Sequence, residues 1–242
     1  MSVLDSVPPY LHCAAVIEPR QLPAYSLTDA ARCIGTHPAT LRTWFKGRSY
    51  QTRGGVRRSP NLLVAAAPGA LSFQNLVQAH VVQGIRKQYL IPMHHVRKAL
   101  AYLHESMGNL DRLASDQFYH DGKDLLLKIQ DQLISLSERG QIVSEPVLQQ
   151  YLQRINYGKD GFASRLYPFR YSSTGQLYEP QYIMIDPTVA FGKPCLKRLG
   201  VKAEIISERF FAGDPMEELS TDYGATREEI EEAIRWSSRR AA

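Results

Sequence analysis

Few folds accommodate the stretch between Tyr25 and Arg58. Leu27, Ala30, Ala31 and Ile34 fall at i, i+3, i+4 and i+7, which lays one apolar stripe along a first helix. Ser26, with Asp29 three residues on, is the expected N-terminal cap, Asp standing where Glu or Gln is usual. Gly35 breaks the stripe and is free to take positive φ, and Thr36 is the expected cap of a second helix with Pro38 in its first turn. Leu41, Trp44 and Phe45 give that helix a buried face and leave His37, Thr40, Arg42, Thr43 and Lys46 on the other. Two short helices meeting at a glycine turn, the second rich in hydrogen-bond donors, predict a helix-turn-helix. Ala31 is small enough to let them touch, and Leu41 closes the core between them. Residues 50–56 then turn on Gly54-Gly55 with Arg53, Arg57 and Arg58 beside the turn, the pattern of a β wing with a cationic tip.

A small helical hairpin that binds protein is the competing reading, and charge separates the two. Asp and Glu number 24 in 242 residues, yet none occurs from Ala30 through His104. The same span holds Arg32, Arg42, Lys46, Arg48, Arg53, Arg57, Arg58, Arg86, Lys87, Arg97 and Lys98. A solvated surface normally mixes both signs, so a one-signed unit implies a one-signed partner, and the phosphate backbone is the obvious one. The candidate DNA contacts are therefore His37, Thr40, Arg42, Thr43, Lys46, Arg48, Arg53, Arg57 and Arg58. Thr40, Arg42 and Thr43 are expected to face base edges, with the wing arginines on phosphate or in the minor groove.

The stretch resembles the MerR-type winged helix-turn-helix, Thr40-Leu41-Arg42 matching the Thr-Leu-Arg run of that family's second helix. The resemblance implies a DNA-binding unit over residues 25–106, in which a second helix pair buttresses the wing and reaches flanking phosphates. Leu76, Val77, His80, Val81 and Ile85 mark the first helix of that pair. Val96, Ala99, Leu100 and Leu103, after Ile91-Pro92, mark the second. Arg86, Lys87, Arg97 and Lys98 are placed for phosphate. His94 and His95 have no carboxylate near them in sequence and read as packing or capping residues.

Around this unit, residues 1–24 carry Pro8, Pro9, Pro19 and Pro23 and read as an extended arm. Residues 116–180 read as a middle unit of a β meander and a connecting helix, the helical period stopping from Asp116 to Val143. Runs 123–130 and 133–138 are β-prone and bounded by Asp121-Gly122 and Arg139-Gly140, which predicts a small β meander. Asp116, Asp121, Asp124 and Asp131 fall at turns and strand ends without ligand spacing, so no metal site is expected. A helix is expected from Ser144 through Ile155, and strands within 162–171 and 177–185.

Residues 181–242 read as three helices: 203–212 ended by Gly213, 215–223 ended by Gly224, and 227–236. Asp214 with Glu217 and Thr226 with Glu229 are the expected capping boxes. Ile205, Ile206, Phe210, Leu219, Tyr223, Ile230, Ala233 and Ile234 are the expected core. The last two helices again have helix-turn-helix dimensions, but glutamates at 228, 229, 231 and 232 would repel phosphate. This unit is therefore expected to dock protein, a twin subunit or a basic partner, although a plain solvated acidic face is the rival account.

A second resemblance rests on Asp186-Pro187, Gly192-Lys193-Pro194, the Ala212-Gly213 ending and the run Glu217-Glu218-Leu219 to Tyr223-Gly224. These look like the small domain of unknown function found in VapB-type antitoxins. The Gly-Thr-Arg that usually follows Gly-Lys-Pro there is replaced by Arg198-Leu199-Gly200, so no role of that Arg is carried over. A basic reader joined to this domain is similar to the antitoxin of a VapBC-type pair, whose toxin is a PIN-like, metal-dependent ribonuclease.

The expected fold is α+β, mainly α, with an N-terminal winged helix-turn-helix, a central antiparallel β meander and a C-terminal three-helix unit. The expected function is a homodimeric antitoxin that binds operator DNA and neutralises a ribonuclease toxin. Glu228, Glu231, Glu232, Arg235, Arg239 and Arg240 are the candidate toxin contacts. The alternative is a MerR-like regulator sensing a small molecule in an apolar pocket between the meander and the last unit, and a weaker one is a structural nucleoid protein. No catalytic constellation stands out, so neither an enzyme nor a cofactor is expected. No apolar run approaches membrane-spanning length and no signal peptide opens the chain. Cys13, Cys33 and Cys195, odd in number and widely spaced, fit reduced thiols of a cytoplasmic protein.

Overall fold

The computed structural model describes residues 18–89, 93–119, 146–169 and 181–238. The first part runs β1 (Tyr25–Ser26), α1 (Leu27–Ile34), α2 (Pro38–Lys46), β2 (Arg48–Thr52), β3 (Gly55–Ser59), β4 (Ala70–Leu71), α3 (Phe73–Tyr89) and α4 (Met93–Met107). The second runs α5 (Pro146–Leu152), β5 (Ile155–Tyr157), β6 (Ala163–Leu166), β7 (Ile183–Met184), β8 (Cys195–Leu196), α6 (Ala203–Ala212), α7 (Met216–Tyr223) and α8 (Arg227–Ser237). The strands pair antiparallel as β1-β4, β2-β3, β5-β6 and β7-β8, so the fold is α+β with helices packed around small two-stranded sheets. No helix among the described residues is long and apolar enough to cross a membrane.

The sequence dictates α1 much as its spacing suggests. Ser26 Oγ accepts from the Asp29 N–H at 3.1 Å and donates to Asp29 Oδ2 at 2.9 Å, so the cap forms. Gly35 ends the helix at φ 65°, a conformation costly to any residue with a Cβ. The cap of α2 is His37 rather than Thr36: its Nδ1 accepts from the Ala39 N–H at 3.1 Å. Pro38 at the first helical position holds the residue before it extended, which moves the cap to His37.

The centre of the core is α3. From Asn75 to Ile85 every residue is buried, apolar or not, as befits a helix enclosed on all sides. Its buried polar side chains each fasten a different neighbour. Asn75 Oδ1 accepts from the Ala66 N–H at 2.8 Å, and Gln78 Nε2 donates to Asp111 Oδ1 at 2.9 Å. His80 Nε2 lies 2.9 Å from the Tyr151 carbonyl on α5, and Gln83 Nε2 donates to the Gly35 carbonyl at 3.2 Å. Gln83 thus holds the α1–α2 turn from behind.

Elsewhere the chain departs from the expectations. The helix expected through Ile155 ends at Leu152, and Ile155–Tyr157 pairs with β6 instead. Asp214 does not cap α7, whose N-cap is Pro215; its carboxylate accepts from Arg209 Nε at 2.6 Å, a stronger, charge-assisted bond. Thr226 and Glu229 do form the full capping box of α8. Ile205 is 42% exposed rather than in the core, because α6 turns only Ala203, Ile206 and Ser207 fully inward. The expected meander over 123–138, Cys13, most of the arm, and Arg239 and Arg240 lie outside the described residues.

The root of α1 meets the 190–192 turn of the C-terminal unit. Tyr25, at the root of α1, is buried, and its hydroxyl donates to the Gly192 carbonyl at 2.7 Å. Burial, and then the nearby Cys33, Asp186 and Cys195, push its pKa up, so it remains a donor.

Candidate nucleic-acid interface

Helix periodicity decides what α2 offers to solvent. Leu41, Trp44 and Phe45 are buried, which turns Ala39, Arg42, Thr43 and Lys46 outward as one i, i+3, i+4, i+7 stripe. Arg42 and Lys46 are exposed; Thr40 and Thr43 are half-buried, Thr40 on the shoulder of the stripe. Thr43 Oγ1 donates to the Ala39 carbonyl at 3.0 Å, leaving its oxygen lone pairs outward. His37 is exposed but its Nδ1 is engaged as the cap, so only Nε2 faces outward. Ala39, absent from the sequence-derived set, completes the stripe; continuing the i, i+3, i+4, i+7 count back from Lys46 would have found it.

The hairpin β2-β3 continues that surface. Its register sets Ser49 opposite Arg58, Tyr50 opposite Arg57 and Gln51 opposite Val56. Side chains alternate faces along a strand, so Arg48, Tyr50 and Arg57 share one face, and Ser49, Gln51, Val56 and Arg58 the other. Arg48 lies over the Tyr50 ring at 5.7 Å from its centroid. Neither face is buried: from Arg48 to Arg58 only Thr52 is less than exposed. A two-stranded ribbon with no apolar face is marginal by itself, so its root must be held. Gly47 does this at φ 71°, with so little room that a Cβ there would lie 2.4 Å from the Ser59 carbonyl oxygen. The Leu62 and Leu63 N–H groups return to the Trp44 carbonyl at 2.6 and 3.1 Å. From α4, Arg97 donates to the Pro60 carbonyl at 2.6 Å. Burial, and then the Arg48 cation, lower the Arg97 pKa, as expected where cations crowd together without a carboxylate.

Among the described residues none of Arg42, Lys46, Arg48, Arg53, Arg57 and Arg58 forms an ion pair. The structure brings Arg42, Thr43 and Lys46 together on α2, and Arg48, Arg57 and Arg58 on the hairpin, with Arg53 at its tip.

The candidate protein contacts fare differently. Glu232 is buried, its carboxylate 2.6 Å from Arg235 NH1, and Glu231 bonds Arg227 Nε at 3.0 Å. Glu229 is buried too, bonded by Arg198 at 2.8 Å and by the Thr226 N–H, which hold its carboxyl below the usual range. Of the four α8 glutamates only Glu228 is both exposed and without an ion pair among the described residues. The expected acidic docking face of α8 is thus largely internal wiring, because a capping box and i, i+3 or i, i+4 pairs satisfy it within the unit. What sequence reasoning missed instead is apolar: Phe191, Ile205 and Phe211 are 86%, 42% and 68% exposed.

The motif around residues 186–194 has a local logic. Asp186 is buried, which opposes its charge, but Arg165 at 2.7 Å and the Thr188 N–H and hydroxyl at 2.9 and 2.6 Å lower its pKa overall. Ala190, Phe191 and Gly192 then take φ of 51°, 56° and 72° in succession. A Cβ on Gly192 would lie 2.5 Å from the Tyr25 hydroxyl.

Residues 183–236 match a family described as "Protein of unknown function (DUF433)". Over 231 residues the chain is 23% identical to a Mycobacterium tuberculosis protein named "Putative antitoxin VapB45", spanning 88% of this chain and 93% of that one. Its fold is similar to the X-ray crystal structure of Rv2018 from Mycobacterium tuberculosis, with TM-score 0.65 and 23% identity, covering 88% of this chain and 98% of that one.

Proposed function

We propose that this chain is an antitoxin that binds its own operator as a homodimer and neutralises a PIN-like ribonuclease toxin without itself being an enzyme. In this reading residues 25–106 form a MerR-like winged helix-turn-helix, with α2 in the major groove and the β2-β3 hairpin as its wing. Residues 181–238 hold the toxin, and the protein acts in the cytoplasm. The observation that carries the DNA half is the run of exposed cations on α2 and the hairpin, none with an ion pair among the described residues. Similarity along 88% of the chain to a protein named as an antitoxin supports the other half.

The test is binding to DNA from upstream of the chain's own operon across a salt series. Arg42→Ala is expected to lose about 1–3 kcal/mol of operator affinity as a base-edge contact. Arg57→Ala is expected to flatten the log–log salt slope by about 0.9, the contribution of one phosphate. An Arg42→Ala protein with wild-type affinity and salt slope would overturn the assignment. The ribonuclease half is tested by co-purification with the product of the neighbouring gene and by inhibition of its RNA cleavage.

A second reading is favoured by one feature, a cleft of about 650 Å³ bounded by Arg20, Gln74, Asn109, Arg112, Asp160 and Phe162. A ligand-sensing regulator would use such a cleft, though its lining mixes charged and apolar side chains rather than being the apolar pocket expected from sequence. DNA affinity that changes on adding a small polar metabolite mixture would favour it.

A further inference from the structure

The outward side of α6 is unlike the rest of the C-terminal unit. Ala203, Ile206 and Ser207 point into the core, so the helical period turns Ile205, Glu208 and Ala212 straight outward, with Glu204 and Phe211 on one flank. All five are exposed. On the other flank Arg209 is locked between Asp214 and Asp222 at 2.6 and 2.8 Å. Lys202, just before the helix, lies over the Phe191 ring at 5.6 Å from its centroid. Phe191, 86% exposed, stands beside Gly192, whose carbonyl accepts from the Tyr25 hydroxyl. Phe191, Ile205 and Phe211 are therefore three large apolar side chains that a monomer gains nothing by exposing.

Charge selects the occupant. Glu204 and Glu208 form no ion pair among the described residues, whereas the neighbouring Asp214, Asp222, Glu229 and Glu231 all do. A second copy meeting this face about a two-fold axis would bring two sets of Glu204 and Glu208 into one interface, with no cation on the outward side of α6 to offset them. A partner with cations around an apolar groove meets the face with opposite charge. An enzyme that acts on RNA needs such cations beside its cleft to hold a polyanion.

We propose that α6, through Ile205, Glu208 and Phe211, together with Phe191, seats in an apolar groove rimmed by lysines or arginines on the ribonuclease partner. The proposal rests on the antitoxin reading and names its contact surface. Phe191 and Phe211 are the anchors, and Glu204 and Glu208 occupy the positions that substrate phosphates would take. Ile205, Glu208 and Phe211 at i, i+3 and i+6 run as an oblique ridge across the outward side of the helix, and a groove that takes the helix would cover all three.

The experiment uses the full-length chain and the ribonuclease purified from the neighbouring gene, with Kd by calorimetry and inhibition of RNA cleavage in parallel. Phe191→Ala and Phe211→Ala are each expected to weaken binding about tenfold or more. Glu208→Lys is expected to weaken it similarly at low salt and less at high salt. Operator binding by the same three proteins stays at the wild-type level, which shows that they fold. Without any variant, hydrogen exchange of α6 amides is expected to slow in the complex. Variants that bind the ribonuclease as wild type does, with α6 exchange unchanged, overturn the proposal but leave the antitoxin reading intact. Variants that bind the ribonuclease normally but turn a dimer into a monomer in light scattering overturn it in favour of a second copy. A wild-type chain that ignores the ribonuclease overturns the antitoxin reading itself.

Discussion

Tyr25 and Gly192 offer a direct measure of how firmly the root of α1 is joined to the C-terminal unit. Tyr25→Phe removes a buried donor and leaves the Gly192 carbonyl unsatisfied, an expected loss of about 2 kcal/mol. Gly192→Ala acts twice. Its φ of 72° costs an L-residue about 1–2 kcal/mol. Its Cβ, 2.5 Å from the Tyr25 hydroxyl oxygen, also forces the hydrogen bond open, bringing the total to about 3–4 kcal/mol. In the double variant the hydroxyl is already gone, and the next Tyr25 atom, Cζ, lies at an acceptable 3.4 Å. Only the backbone cost is then added to that of Tyr25→Phe, so the double variant is expected to lose about the same 3–4 kcal/mol as Gly192→Ala alone. The coupling is therefore about 2 kcal/mol short of additivity. Urea denaturation reads it through the only two tryptophans, Trp44 on the inward face of α2 and Trp236 on α8, both buried. Additive losses, a double variant about 5–6 kcal/mol less stable, would refute the contact and with it that joining.

Gly47→Ala is expected to cost about 3 kcal/mol or more, since positive φ and a 2.4 Å approach to the Ser59 carbonyl oxygen act together. A thermal melt reads the loss; an unchanged Tm would show that the hairpin root is not fixed there. For pH, the Arg198 hydrogen bond lowers the Glu229 pKa from 4.5 and the Asp186 pKa is lowered from 3.8. Depressed carboxyls contribute stability that is complete above their unfolded values and lost as pH falls through the folded ones, so the acid limb begins below about 4.5. Arg198→Ala removes the lowering at Glu229 and is expected to flatten the stability-versus-pH slope below pH 4.5, measured by urea midpoints from pH 3 to 6; an unchanged slope would refute it.

Local chemistry was the legible part of this fold. The α1 stripe, the Gly35 turn, the inward face of α2, the hairpin turn and the Thr226–Glu229 box all follow from spacing within a few residues, where the chain's own geometry decides. Illegible were choices made by partners distant in sequence. Asn75, Gln78 and Gln83 read as the polar side of an amphipathic helix, yet each is buried because a loop some nine to forty-eight positions away supplies its hydrogen bond. Tyr25 carries nothing that reveals Gly192, 167 residues on. Helix α6 was misread for a related reason. With Ile205, Ile206, Phe210 and Phe211 on several sides, periodicity cannot say which apolar residues stay outside, and the buried neighbours decide it.

The acidic back half shows the same limit in electrostatic form. Composition gives the two ends opposite signs, and sign alone would assign one to nucleic acid and the other to a basic protein. Arg198, Arg209, Arg227 and Arg235 nevertheless each hold a carboxylate within 3.2 Å, so a large part of the C-terminal charge reaches a partner only as closed dipoles. The front half has no such closure. Its exposed cations lack any carboxylate between residues 30 and 104 to pair with, so their field extends outward until salt screens it. What separates the ends is therefore how many of their charges remain open. The proposed binding through α2 and the hairpin is therefore expected to fall steeply with ionic strength, whereas the proposed docking anchored by Phe191, Ile205 and Phe211 is expected to persist, because burial of apolar surface scarcely responds to moderate salt. Under the proposed function, a change of ionic strength alone would release DNA while the protein partner stays, with no conformational switch required.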